Sequence, residues 1–195
     1  RQLPENVFKE LYLAEPSDDG GNPFGQSAVE SCIAPISSNA PVIFGVDLAK
    51  SVDYTVAIGL DSNGQVCQYE RFQKPWEDTI STLTTLIGYT PAIVDSTGLG
   101  DPIVERLQRT LPNVEGYTFT SPSKQKLMEG LVLAIQGNHI TFPDGVIVQE
   151  LQTFGYEYTR TGVKYTAPQG LHDDCVMALG LAVHGISNSP SQGVW

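Results

Sequence analysis

The apolar positions of the chain fall into two periods. "PVIFGVD", residues 41–47, is a continuous apolar run closed by an acid, the pattern of a strand buried on both faces. "YTVAIGLD" and "QVCQYERF" read as two further strands, with a hairpin turn at the "SNG" between them. These three are expected to be antiparallel neighbours. "WEDTISTLTTLIG" changes the period: Ile80, Leu83, Leu86 and Ile87 recur at helical spacing. "PAIVDS" is another short apolar strand that ends in an acid, Asp95, and Asp101 followed by Pro102 predicts a capped helix over "DPIVERLQRTL". "VEGYTF" reads as a strand, and Ser123 as the cap of "KQKLMEGLVLAIQGN", in which Leu127, Leu131, Ala134 and Ile135 form one stripe. "HITFP" is expected to be extended and "VIVQELQTF" a short helix. "YEYTRTGVKYTAP" alternates around Thr161 and Gly162 as a protruding β-hairpin. A closing helix is predicted from Asp173 to about Ile186, where Ala178, Gly180 and Ala182 would let it approach a sheet closely.

This order predicts an α/β fold with a mixed central β-sheet and helices on both faces. The first and fourth strands would be central neighbours, which would bring Asp47 close to Asp95. A helix packed across them would add Asp173 or Asp174. A lone aspartate at a strand end is ordinarily a turn former, and one at a helix start ordinarily a cap. Here acids close two apolar runs and a doublet opens an apolar helix, so an electrostatic cost is repeated where a plain core would avoid it. Hard divalent ions such as Mg²⁺ or Mn²⁺ bind oxygen ligands and would remove the repulsion. Zinc is disfavoured, because no cysteine or histidine pair has suitable spacing. His139 is scattered and His184 reads as structural; His172, beside the acids, is the one histidine placed near the site.

Other chemistries find no motif. The chain has no P-loop and no GxSxG elbow, and the "GLG" at residues 98–100 lacks the third glycine of a dinucleotide fingerprint. A net charge of −11 argues against binding nucleic acid by bulk electrostatics, so any DNA contact must be local or assisted by metal ions. Lys124 and Lys126, expected in the first turn of a helix, and Arg160 and Lys164, expected on the hairpin, are the candidates for phosphate contacts. Asp53 and His172 are candidates to support the metal-binding acids from outside. Cys32, Cys67 and Cys175, odd in number and without paired spacing, fit a reducing compartment.

With 195 residues and 41% hydrophobic content, the chain can bury a real core. It lacks an initiator methionine, a signal peptide and an apolar stretch long enough to span a bilayer, and we expect a soluble piece of a longer protein. Residues 1–40, with a short amphipathic piece at 8–14 and the polar "EPSDDGGNPFG", read as a connector. Residues 41–187 read as the domain, and 188–195 as a flexible tail.

"VIFGVDLAKSVDYTVAIGLD", "AIVDSTGLGDPIVERL" and "GLHDDCVMALGLA", in that order and spacing, resemble the nuclease domain of the large terminase subunit of tailed bacteriophages, a ribonuclease H-like fold. The leading "FKELYLAEPSDDGGNPFG" is similar to that protein's connector between ATPase and nuclease. The resemblance implies that Asp47, Asp95 and an acid of the Asp173–Asp174 pair bind the metals, with Asp174 favoured. It implies an endonuclease that cuts concatemeric viral double-stranded DNA during packaging, by two-metal hydrolysis with two divalent ions, Mg²⁺ or Mn²⁺. It further implies an N-terminal ATPase domain in the full-length protein, the small terminase subunit and the portal as partners, and the cytoplasm of the infected bacterial host as location. The alternatives are another ribonuclease H-like nuclease, of junction-resolvase or transposase type, and a catalytically silent packaging-motor docking module. A sugar-kinase fold would need glycine and threonine after the first acid, and "DLAKSVD" supplies neither.

Overall fold

Five strands form the central sheet, and their order follows from which of them are apolar on both sides. A computed structural model describes residues 21–48, 54–98, 100–159, 162–166, 168 and 170–188, with the side chains of 100, 101, 157–159, 162–164 and 166 left out of the description. Strand β1 (Ile43–Asp47) lies at the centre, in the order β3-β2-β1-β4-β5. It pairs antiparallel with β2 (Thr55–Leu60), which pairs antiparallel with β3 (Val66–Phe72). On its other side it pairs parallel with β4 (Ala92–Asp95), which pairs parallel with β5 (Val114–Tyr117). The sheet is therefore mixed, as the hydrophobic pattern predicts. In the β2–β3 turn the Asp61 carboxylate accepts the backbone N–H groups of Asn63 and Gln65, while Gly64 takes a positive φ of 77° that a side chain would strain.

Alternation along the strands divides the core in two. Phe44, Val46, Ala57, Ala92 and Val94 face Leu83 and Ile87 of α2 (Trp76–Ile87) and Ile103, Val104 and Leu107 of α3 (Gly100–Gln108). Ile43, Val56, Ile58 and Ile93 face the other way, into the larger core. That core is built from α4 (Ser121–Gln136), α5 (Val146–Thr153), α6 (Asp174–Asn188) and the short α1 (Gln26–Ser31). Helix α6 is apolar nearly all round, and 12 of its 15 residues are buried, as a helix enclosed by its neighbours must be. Gly45 on β1 lets it come close: a Cβ there would collide with the Ala178 carbonyl oxygen and the Ala182 backbone nitrogen. The absence of a side chain on the central strand thus sets how closely α6 packs against β1.

Strands β6 (Gly155–Thr159) and β7 (Gly162–Thr166) pair antiparallel, and Tyr165 reaches from β7 into the larger core. No helix among the described residues is long and apolar enough to cross a membrane.

Several boundaries differ from the sequence reading. Thr120, not Ser123, caps α4: its hydroxyl accepts the Ser123 N–H, and the Ser123 hydroxyl accepts the Thr120 N–H, a reciprocal capping box. Lys126 consequently lies beyond the first turn. Helix α3 begins at Gly100, so Asp101 and Pro102 fall inside it rather than at its cap and first position. Part of the stretch read as a connector packs with the domain, since Phe24, Val29 and Cys32 are fully buried in the larger core. The Asn22 amide also donates to the carbonyls of Leu151 and Gln152. Asp53, Arg160, residues 8–14 and residues 189–195 lie outside the described residues, as does the side chain of Lys164.

Candidate metal centre

The parity that divides the core also assembles the acids. Val46 and Val94 are parallel partners, so the next residue on each strand, Asp47 and Asp95, sits side by side on the opposite face, toward α6. Asp47 stands opposite Val56 and Asp95 opposite Tyr117, which completes one row across the sheet. Asp95 is buried, and its Oδ1 accepts the Thr97 N–H at 2.8 Å. The loop after β4 is tied down further, with the Phe119 N–H donating to the Thr97 hydroxyl and Ser96 and Thr118 sharing a hydroxyl hydrogen bond.

Helix α6 brings the doublet to this row. Asp174 is its first residue and buried, and its Oδ2 accepts the Tyr54 N–H at 3.4 Å and lies 3.7 Å from His172 Nδ1. His172 also meets the Tyr54 ring edge to face. Asp173 has a different partner: its Oδ2 is 3.3 Å from Lys124 Nζ. The two adjacent carboxylates therefore have different partners.

The acids feel one another. The carboxyl of Asp47 is held well above the usual carboxylate range, first by burial among its neighbours and then by repulsion from Asp95, Asp174 and Asp173. The Lys124 ammonium offsets part of this. Structure thus brings together Asp47, Asp95, Asp173, Asp174, His172 and Lys124. Lys126 lies instead near His184, whose imidazole is held below its usual pKa by burial and then by repulsion from this ammonium. His184 stacks edge to face on Tyr117.

The donor set suits a hard divalent cation. Its members are carboxylate oxygens, and their mutual repulsion is what a doubly charged ion would relieve. Among the described residues no three carboxylate, imidazole or thiol groups already close around one point, so gripping an ion would take rotamer changes of these short side chains. All three cysteines are buried free thiols, and Cys175 shares a hydrogen bond with the Tyr69 hydroxyl.

Sequence reasoning missed Glu150, whose Oε2 accepts the Cys175 N–H at 2.7 Å at the start of α6. The signal was present: "VIVQELQT" carries one acid on the stripe otherwise made of Ile147, Val148 and Leu151, all buried. Thr97 and Tyr54, which orient Asp95 and Asp174 through backbone N–H groups, left no trace in the residue pattern.

No family model and no curated protein matches the chain. Solved structures do. The large terminase nuclease of the thermophilic phage G20c with bound magnesium superposes with a TM-score of 0.74 at 27% identity, over 87% of this chain and 98% of that one. The large terminase nuclease domain of Thermus phage P74-26 has a TM-score of 0.69 at 24% identity, over 87% and 97%. The large terminase of bacteriophage HK97 has a TM-score of 0.62 at 15% identity; 93% of this chain matches 47% of that protein. The chain has the ribonuclease H-like fold of large terminase nuclease domains.

Proposed function

We propose, from its likeness to the large terminase nuclease domains, that this chain is a metal-dependent endonuclease that cuts concatemeric viral DNA during genome packaging. The observation that carries the reading is the convergence of Asp47, Asp95 and Asp174 on the face of the sheet that receives the start of α6, where Asp47 is pushed toward protonation by burial and by its acidic neighbours. The large terminase nuclease of phage G20c binds magnesium, which supports the use of a divalent ion here.

In this proposal Asp47, Asp95 and Asp174 hold two divalent ions, Mg²⁺ or Mn²⁺, with Asp173 as the alternative to Asp174. Bound there, the ions would lower the pKa of an attacking water and stabilise the departing 3′ oxygen of a phosphodiester. The chain's own residues set the stage for this. Asp47, from the central strand between Asp95 and the start of α6, would hold metal together with these acids. The Thr97 N–H fixes one oxygen of Asp95, leaving the other to act as ligand. Tyr54 and His172 hold Asp174 from the side of β2. Lys124, beside Asp173, is the described cation best placed to meet a phosphate of the DNA; Lys126, Arg160 and Lys164 are proposed to extend that contact, and Asp53 to support the acids.

The match to about half of the HK97 large terminase supports placing the chain as the nuclease portion of a longer packaging protein. Its partners would then be double-stranded DNA, an ATPase domain in the same polypeptide, the small terminase subunit and the portal, within the cytoplasm of the infected host. Plasmid cleavage with Mg²⁺ or Mn²⁺ tests the activity, and Asp47→Ala should abolish it while the protein remains folded. Undiminished cleavage by that variant would remove the metal-site assignment. Strong preference for a four-way junction or an RNA–DNA hybrid over linear duplex would replace packaging with another ribonuclease H-like activity.

A further inference from the structure

The first backbone N–H groups of any helix lack partners within it, and a residue just ahead of the helix ordinarily supplies the acceptor. At α6 the acceptor on the Cys175 N–H comes from another helix altogether. Glu150 of α5 reaches it with Oε2 at 2.7 Å, across 25 residues of chain, and also draws on the Val176 N–H. Glu150 is only 6% exposed and lies among core residues. A carboxylate withdrawn from water that far is costly unless its surroundings compensate. The compensation here is directional but partial: burial outweighs the two N–H groups at the positive end of α6 and the nearby Arg71, and holds the Glu150 carboxyl above its usual pKa. Arg71 lies 3.4 Å over the ring of Tyr54, and the Tyr54 N–H donates to Asp174 Oδ2. Asp174 is therefore approached from two sides, through the helix end that Glu150 grips and through Tyr54, just ahead of β2, whose ring Arg71 covers.

We infer that Glu150 is the positioning residue of the site: it caps α6 from outside the Asp173–Asp174 pair and thereby fixes the Asp174 carboxylate beside Asp47 and Asp95. A glutamate, rather than an apolar residue, occupies the buried stripe of α5 because only an acceptor of that reach satisfies the first turn of α6. This rests on the reading of the acids as metal ligands.

The test is calorimetric titration of the protein with MnCl₂, alongside thermal melting and plasmid cleavage, for wild type, Glu150→Gln, Glu150→Asp and Glu150→Ala. Glutamine keeps an acceptor oxygen at the same reach and should retain wild-type Mn²⁺ affinity. Aspartate keeps the charge but is one methylene short, and alanine has no acceptor; each should weaken Mn²⁺ binding by about 10–100-fold, the usual cost of losing a partner that orients a ligand. If the alanine variant fails to fold, the aspartate and glutamine pair carries the comparison. Wild-type Mn²⁺ affinity in a folded Glu150→Asp or Glu150→Ala protein would overturn the inference and leave Glu150 a packing residue. A loss in Glu150→Gln as large as in Glu150→Asp would overturn it as well. A wild-type protein that binds no Mn²⁺ would instead sink the metal-site reading itself, a result distinct from any of these.

Discussion

Asp47 and Asp95 close two adjacent parallel strands, one residue beyond the paired Val46 and Val94, and both face the helix that starts at Asp174. Two carboxylates in one row of a sheet are a liability unless something cationic joins them. Replacing either with asparagine should therefore cost more cleavage activity than the roughly 10–100-fold expected from losing an outer supporting group. Single-turnover cleavage of supercoiled plasmid at fixed Mg²⁺ reads this directly, and a loss smaller than that range in both variants would argue against a shared metal.

The same repulsion predicts a pH-dependent stability. Burial and the neighbouring acids raise the Asp47 carboxyl above its usual value, so between the unfolded and folded pKa values the native state binds the extra proton. The stability this group contributes is fully present below the unfolded pKa and is lost as pH rises through the folded one. Asp47→Asn should leave the melting temperature of metal-free protein unchanged near pH 4 and raise it near pH 8, where each ~1 kcal/mol corresponds to roughly 2–4 °C in a protein of this size. A gap between the two proteins that does not widen with pH would contradict the assigned cause.

Gly45 should be intolerant of even one methyl group. An alanine Cβ would meet the backbone of Ala178 and Ala182, which cannot rotate away, so α6 must shift. Overpacking of this kind typically costs about 1–3 kcal/mol. Because the displaced helix carries Asp174, Gly45→Ala should lose Mn²⁺ affinity as well as stability in denaturant titration. A stability loss with unchanged affinity would show that the helix start moves independently of its contact with β1.

Lys124 offers a test of the DNA contact. Its ion pair with Asp173 is partly exposed and should add no more than about 1 kcal/mol to stability. If Lys124 also neutralises a phosphate, Lys124→Ala should reduce the slope of log affinity against log salt by about 1 for duplex DNA. An unchanged slope would confine Lys124 to holding Asp173.

Much of this arrangement was legible in the residues, for identifiable reasons. Asp47 and Asp95 end runs whose period is fixed by the sheet, so their adjacency follows once β1 and β4 are taken as neighbours. The doublet at Asp173 and Asp174 was visible too, but its division of labour was not: Lys124 approaches one acid and Tyr54 the other, from segments distant in sequence. Glu150 escaped because its partner, the Cys175 N–H, is a backbone group that every residue possesses. The placement of Phe24, Val29 and Cys32 in the core was hidden by surrounding glycine, proline and aspartate, which lower the local hydrophobic signal without preventing burial. The cap of α4 lies three residues ahead of the Ser123 that the pattern predicts, because Thr120 and Ser123 cap reciprocally and either alone looks like the cap.

The most direct measurement is anomalous scattering from crystals soaked in Mn²⁺. Manganese peaks ligated by Asp47 and Asp95, with Asp174 completing the set, are the predicted result. Absence of manganese from these carboxylates in a protein that still cleaves DNA, or manganese bound only elsewhere, would contradict the assignment of the catalytic centre.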